Sequence, residues 1–389
     1  MMLKGCEIVN KPEIRIGLLG FGAMGRTHAF AVSSLPYYCN DLPFRPIIQG
    51  IATRSIEKSS AVAKEYGFAV ATDREDVLIN DPDIDVIDIC TPNHLHADTV
   101  RRALAAGKHI YCEKPLASTL EDAEEIAALA AKTDRICTVV FHNRHLSAVQ
   151  RAKQLIEEGR LGRILSFDFR YLHNSCTDVQ KNAGWKQSAD ICGKGGVLFD
   201  LGSHIIDLAV FLCGKFRAIT GTEQIAFPVR AGLNGEQWHT NAPEAFYMLA
   251  ETESGAKGTI TASKLAVGTN DDLDFAIYGT KGSLRFSLMD PDFLEFYDND
   301  APHAPYGGMG GFTRIECVGR YPAPAGAFPS PKAPQGWLRG HVMSMYAFLN
   351  AVYTGKQNAP TFADGAYVQR VMETAMLSAT EGRERLVSP

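Results

Sequence analysis

At 389 residues the chain is long for one ordinary domain, and two is the better expectation. A net charge of −5 and a pI near 6.1 leave no basic footprint for nucleic acid or an anionic membrane surface. No apolar run approaches the roughly 20 residues that a spanning helix needs, and residues 1–11 lack the apolar segment of a signal peptide. The nine cysteines include no C-x-x-C pair, and Cys90, Cys112 and Cys137 fall inside apolar strand-like runs. That is the pattern of reduced core thiols in a cytoplasmic protein.

Residues 14–19 (I-R-I-G-L-L) read as a strand running directly into Gly20-Phe21-Gly22-Ala23-Met24-Gly25, and a helical pattern follows over 23–34. In that setting G-x-G-x-x-G has a physical reading. Gly20 makes the tight turn, Gly22 lets a pyrophosphate approach the backbone, and Gly25 packs helix on strand. The amides around Ala23 and Met24 then face the anion at the positive end of the helix dipole. After a loop over 37–46, a second strand over 47–52 ends in Thr53-Arg54-Ser55, with no Asp or Glu to pair with a ribose 2′-hydroxyl. Arg54 and Ser55 can hold a 2′-phosphate, which favours NADP slightly over NAD. The opposing reading stacks Arg54 on adenine and makes Ser55 the cap of a helix over 56–66.

A strand over 83–90 ends in Thr91-Pro92-Asn93-His94-Leu95-His96. Thr91, Pro92, Asn93 and His96 are expected to line the cofactor crevice, with Pro92 and Asn93 near the nicotinamide ribose. His94 and His96 are two apart and share no helix face, so they are not read as a metal pair. The strand opening at His109 ends in Glu113-Lys114-Pro115. Pro115 disfavours the helical region for Lys114, leaving the lysine extended at the carboxyl end of a parallel strand, where ligands bind. Glu113 and Lys114 therefore join the expected cofactor site. A helix over 119–131 and a sixth strand over 136–141 complete a doubly wound α/β unit, residues 1–142.

Beyond it, a helix over 147–158 precedes an alternating, half-exposed strand over 164–171. A long polar loop (172–196) carries His173, Asn174, Asp178, Trp185 and Lys186, donors and an aromatic platform suited to a sugar. A helix over 197–212 follows, with Asp200 and His204 four apart on one face. Runs at 219–226, 246–251, 258–263, 273–278 and 282–286 alternate as in a mainly antiparallel sheet. The Gly- and Pro-rich segment 291–335 is expected to be a loop-like, partner-contacting arm, and helices over 341–353 and 365–379 follow.

Lys114, Asp200 and His204 stand out chemically. Oxidising a secondary alcohol requires removal of the hydroxyl proton as hydride leaves carbon, and histidine suits that exchange. A nearby ammonium stabilises developing alkoxide, and a carboxylate can hold the imidazole or a second hydroxyl. The plainer readings are a solvated lysine and a satisfied helix histidine. Asp200 and His204 as metal ligands lack a third partner, so no metal is expected. His28 reads as structural but close to the crevice, and Asp207 as a helix-side hydrogen-bond partner.

G-x-G-x-x-G at 20–25, T-P-N-H-L-H at 91–96, C-E-K-P-L at 112–116 and G-G-V-L-F-D-L-G-S-H-I-I-D at 195–207 occur in this order. Together they resemble the glucose–fructose oxidoreductase / inositol dehydrogenase / MocA family, with a lean towards levoglucosan-type glycoside 3-dehydrogenases. The resemblance implies a Rossmann domain followed, over 143–389, by an α/β domain with a large, mainly antiparallel open sheet. That sheet would form the interface of a homodimer or homotetramer. The resemblance also makes Lys114, Asp200 and His204 catalytic, with His204 the acid/base. Lys114, Asn143, Arg144, His173, Trp185, Asp200 and His204 are the expected substrate contacts. The implied activity moves a hydride between NAD(P) and a ring hydroxyl of a sugar, glycoside or cyclitol. The alternatives are a non-catalytic NAD(P)-sensing regulator and a glycosidase using transient C3 oxidation.

Overall fold

The structure is a computed structural model. It describes residues 11–387 apart from positions 40, 179, 181–187, 190–192, 233–235, 303, 319–329, 331–332, 335 and 359. Its first layer is a six-stranded parallel sheet of β1 (Glu13–Leu19), β2 (Arg45–Ala52), β3 (Val70–Thr72), β4 (Val86–Ile89), β5 (His109–Cys112) and β6 (Cys137–Val139). The order is β3-β2-β1-β4-β5-β6, so the chain reverses direction across the sheet between β1 and β4. A crevice for a ligand opens at the carboxyl ends of the strands at that switch point. The short β3 has too few residues to stand out as a period in the sequence.

The helices of this layer are α1 (Ala23–Tyr38), α2 (Ile56–Tyr66), α3 (Glu75–Ile79), α4 (His96–Ala105) and α5 (Leu120–Ala130). α1 runs one turn past the expected end and carries Pro36 inside it.

The second layer is a nine-stranded sheet. After α6 (Ser147–Glu157) come β7 (Ile164–Leu172), α7 (Ser203–Cys213) and β8 (Phe216–Gln224). β9 (Val229–Ala231) and β10 (Gln237–His239) pair only with each other. β11 (Ala245–Thr252), β12 (Lys257–Ser263), β13 (Asp272–Gly279), β14 (Gly282–Ser287), β15 (Phe293–Asp298) and β16 (Phe312–Glu316) follow. α8 (Trp337–Thr354), α9 (Phe362–Glu381) and β17 (Arg385–Leu386) complete the order β16-β15-β14-β13-β7-β12-β11-β8-β17. β7 and β12 run parallel; the other pairs are antiparallel. One face packs against α6, α7 and α9; the other is open and carries Tyr247, Leu249 and Tyr278.

Two expectations need correction. The segment expected to be a loop-like arm contains β15 and β16: Phe293–Phe296 alternates half-buried and buried positions, and β15 pairs with β14 and β16. Pro302, Pro305, Gly307, Gly308, Gly310 and Gly311 lie in the connection between β15 and β16. The helix expected over 197–212 is not one continuous α-helix: Leu198–Gly202 is a turn of π-helix, and α7 begins at Ser203.

The two layers are interlocked. Val342, Met345, Phe348 and Leu349 of α8 share one buried cluster with Ile16, Leu18 and Leu35 of the parallel layer. The Tyr111 hydroxyl meets Ser344 Oγ at 2.7 Å, and Arg370 of α9 bonds Glu124 of α5 at 2.7 Å.

Candidate active site

Each glycine of the turn does a different job. Gly20 has φ of +91°, and a Cβ there would lie 2.7 Å from the Cys90 carbonyl oxygen. A Cβ on Gly25 would strike the Gly20 carbonyl, so this glycine permits the close packing of α1 on β1. A Cβ on Gly22 would meet nothing within 4 Å. Gly22 is also the N-cap of α1, which has no side-chain cap and no acid in its first turn. With Ala23 exposed and Met24 half-exposed beside it, the amide end of α1 is open to an anion.

At the end of β2 the Thr53 hydroxyl is taken up by the Ser55 carbonyl and Ser59, while Arg54 is exposed. Ser55 caps α2 by accepting from Lys58 N and donates at 2.6 Å to Glu57. That hydrogen bond holds the Glu57 carboxylate below its usual pKa range. Residues 53–55 contain no carboxylate because Glu57 is the second residue of the helix, in its first turn; the Ser55 bond brings it back to the strand end.

At the end of β4, Pro92 is exposed, Asn93 is buried, and the Thr91 hydroxyl is buried without a partner among the described residues. His94 is exposed and His96 buried, so the two rings share no site. The His96 ring meets the carbonyls of Pro115 (3.0 Å) and Thr91 (2.9 Å), bracing the β4 and β5 ends together. Glu113, expected to face the cofactor, turns inward. Its carboxylate binds His28 Nε2 at 3.0 Å and the Lys114 amide at 3.1 Å.

The structure brings Lys114, Asp200 and His204 together. Lys114 Nζ donates to the Asp200 carbonyl at 2.7 Å and lies 3.4 Å from its Oδ1. Asp200 sits in the π-turn, a widened helical turn of the kind found at functional sites. A second ammonium, Lys264 at the end of β12, meets Asp200 Oδ2 at 2.9 Å and is only 5% exposed. His204 is buried with Nδ1 unpartnered among the described residues, and burial, with the Lys114 charge next in effect, lowers its pKa well below 6.5. His173 bonds Asp271 at 2.7 Å, as does the Tyr171 hydroxyl; the Tyr171 ring lies 6.0 Å from His204.

Beneath them, His142 stacks on His341 with centroids 3.6 Å apart and meets His204 edge-on at 5.1 Å. The ring nitrogens of His142 and His341, the Asn143 amide atoms and Trp337 Nε1 are buried without partners among the described residues. Burial drives both histidines well below 6.5, with neighbouring histidines and Lys114 adding to the effect.

The sequence reading did not find Lys264, Asp271, His142, His341 or Trp337. The one local signal was Lys264, a lysine at the carboxyl end of a β-run. Arg144, expected to contact substrate, is instead a buried fork on Asp207 (2.8 and 2.6 Å) with Asp364 at 3.2 Å. Its Nε and Nη2 donors are taken up by carboxylates it must neutralise. Asp207 is thus the hydrogen-bond partner expected of it. Trp185 and Lys186 lie outside the described residues.

Among the described residues one group has metal-type donors converging, His28, Asp88 and Cys90, within 4.8 Å of one another. The imidazole nitrogen and carboxylate there are 2.9 Å apart, a hydrogen-bond distance. Cys39, Cys90, Cys112, Cys137 and Cys213 are free thiols, and no described helix is long and apolar enough to cross a membrane.

A glycine turn at the switch point of a parallel sheet, facing a lysine–carboxylate–histidine group, defines a two-domain, dinucleotide-dependent oxidoreductase. Residues 14–141 match the model of an oxidoreductase family with an NAD-binding Rossmann fold, and residues 149–285 that of the GFO/IDH/MocA C-terminal domain. The chain belongs to the Gfo/Idh/MocA family. It is 32% identical to levoglucosan dehydrogenase of Pseudarthrobacter phenanthrenivorans, covering 95% of this chain and 97% of that one. Inositol 2-dehydrogenase of Rhizobium meliloti is 26% identical, with 95% and 98% covered. A solved structure of levoglucosan dehydrogenase with NADH and levoglucosan superposes with a TM-score of 0.91 at 32% identity, covering 97% of this chain and 100% of that one.

Proposed function

We propose that the chain is an NAD-dependent dehydrogenase that oxidises a ring hydroxyl of a sugar, glycoside or cyclitol, with Lys114, Asp200 and His204 as its catalytic residues. The observation that carries this reading is the convergence of two ammonium groups on Asp200 beside a buried, neutral His204. When bound, the dinucleotide accepts hydride from the carbinol carbon at its nicotinamide.

The chain's own residues handle the oxygen and its proton. Lys114 Nζ donates to the hydroxyl oxygen and stabilises alkoxide as it develops. The His204 imidazole, uncharged at neutral pH, takes the hydroxyl proton. Asp200 offsets the two ammonium charges and fixes Lys114 Nζ. Asn143 and His173 contact neighbouring hydroxyls; the unpartnered Asn143 amide suits a ligand rich in donors and acceptors. The names of the levoglucosan and inositol relatives support a polyhydroxylated ring as substrate.

NAD is favoured over NADP. Ser55 is bonded to Glu57, and a carboxylate at the end of β2 disfavours a 2′-phosphate; Arg54 then stacks on adenine. The same reading puts the domain boundary near residue 142 and the enzyme in the cytoplasm. It assembles as a dimer or tetramer through the open sheet face, where Leu249 is 61% exposed. Sedimentation velocity checks the assembly.

The test is titration of purified protein with NAD and NADP, followed by absorbance at 340 nm with sugars, glycosides and cyclitols. NAD binding with turnover is expected. Binding without turnover on any polyol overturns the dehydrogenase reading in favour of a regulator, and release of aglycone without net NADH in favour of transient oxidation.

A further inference from the structure

His28 lies five residues past the start of α1, the helix whose amide end receives the dinucleotide. Its side chain crosses beneath the crevice to strands β4 and β5. Nδ1 meets the Asp88 carboxylate at 2.9 and 3.2 Å and the Cys90 thiol at 3.1 Å; Nε2 meets Glu113 at 3.0 Å. The other faces of the ring pack on Tyr111 (5.2 Å) and His341 (6.2 Å). Both ring nitrogens thus face carboxylates, which accept and do not donate, so the ring donates from both as imidazolium. The second Glu113 oxygen accepts the Lys114 amide at 3.1 Å. An unbroken path therefore runs from α1 through His28 and Glu113 to the backbone of Lys114, whose Nζ ends on Asp200.

We propose that His28 is a positioning residue: through Glu113 it fixes the backbone of Lys114 and ties that lysine to the helix that binds the dinucleotide. It touches neither cofactor nor substrate. It acts by denying the strand end the small displacements that misplace a catalytic group. The assignment rests on the catalytic role proposed for Lys114. The Asp88–His28 pair supports it, since Asp88 raises the ring's pKa well above 6.5 against the effect of burial.

The test is steady-state kinetics of the full-length enzyme with NAD and an accepted polyol, for His28→Gln, Glu113→Ala and the double variant. Each single change is expected to lower kcat about 10-fold or more, while NAD affinity and polyol KM move less than about 3-fold. Because both act through one link, the double variant should lose no more than the worse single one. A packing role alone would weaken NAD binding in step with kcat and give additive losses, and either result overturns the proposal. So does wild-type kcat in His28→Gln. If His28→Gln does not fold, Glu113→Ala must still show the kcat loss at unchanged KM, or the proposal falls. Lys114→Met separates the two readings. An active Lys114→Met removes the catalytic assignment itself, whereas an inactive one beside a fully active His28→Gln removes only the positioning role.

Discussion

His28 and His341 lie 6.2 Å apart between ring centroids and are each about 1% exposed, yet they are driven to opposite charge states. His28 is enclosed by Asp88 and Glu113, and its pKa is raised well above 6.5. His341 is stacked on His142 with Lys114 and His28 nearby, and its pKa falls well below 6.5. Burial penalises the cation at both positions, so the neighbours decide the sign. One side of the site holds a fixed positive link in the backbone scaffold. The other is a bed of neutral rings under His204, where a second cation is disfavoured.

The largest effect should come from removing the charge between these regions. Lys114→Met is expected to lower kcat about 10²-fold or more while leaving NAD affinity nearly intact. It should also move the acid limb of the residual activity to higher pH, because the Lys114 ammonium helps depress the pKa of His204. Next come the two histidines themselves. His28→Phe leaves two buried carboxylates uncompensated and should destabilise the fold by about 3–5 kcal/mol in urea unfolding. His341→Phe removes a ring whose nitrogens bond no protein group, and should cost less than about 1 kcal/mol.

Acidification sharpens the contrast. His142, His204 and His341 have folded pKa values below the unfolded 6.5, so below about pH 6.5 the unfolded chain binds protons that the native state refuses. Thermal stability should fall from pH 7 to pH 5, and the fall should be shallower in His341→Phe. His28 has the opposite sign: its contribution is full below pH 6.5 and is lost as pH rises through its raised folded pKa. The smallest effect is at the cofactor's far end, where Arg54→Ala should change the KM for NAD by less than about 3-fold.

The dinucleotide half was legible because its signals are local. The Gly20–Gly25 turn and the Pro115 stop after Lys114 are each read within one short window, as is the four-residue spacing of Asp200 and His204 in the second layer. What was missed comes from long-range register. Lys264 and Asp271 reach the site because β7 pairs with β12 and β13, about 100 residues away in sequence. His341 arrives on α8, some 200 residues beyond its stacking partner His142. Sequence does not reveal that Arg144, an expected substrate contact, is bound by Asp207 and Asp364. Likewise, nothing in E-K-P shows that the glutamate turns away from the crevice.

The packing of α8 against the parallel layer constrains how the chain matures. When residue 142 leaves the ribosome, every strand of that layer has been made, but the surface awaiting Val342, Met345, Phe348 and Leu349 is bare. About 200 further residues must be translated first, which takes roughly 10–40 s at ordinary elongation rates. Through that interval the nascent dinucleotide domain presents an apolar flank to the cell, a natural landing place for chaperones and the surface most prone to aggregation when synthesis is interrupted.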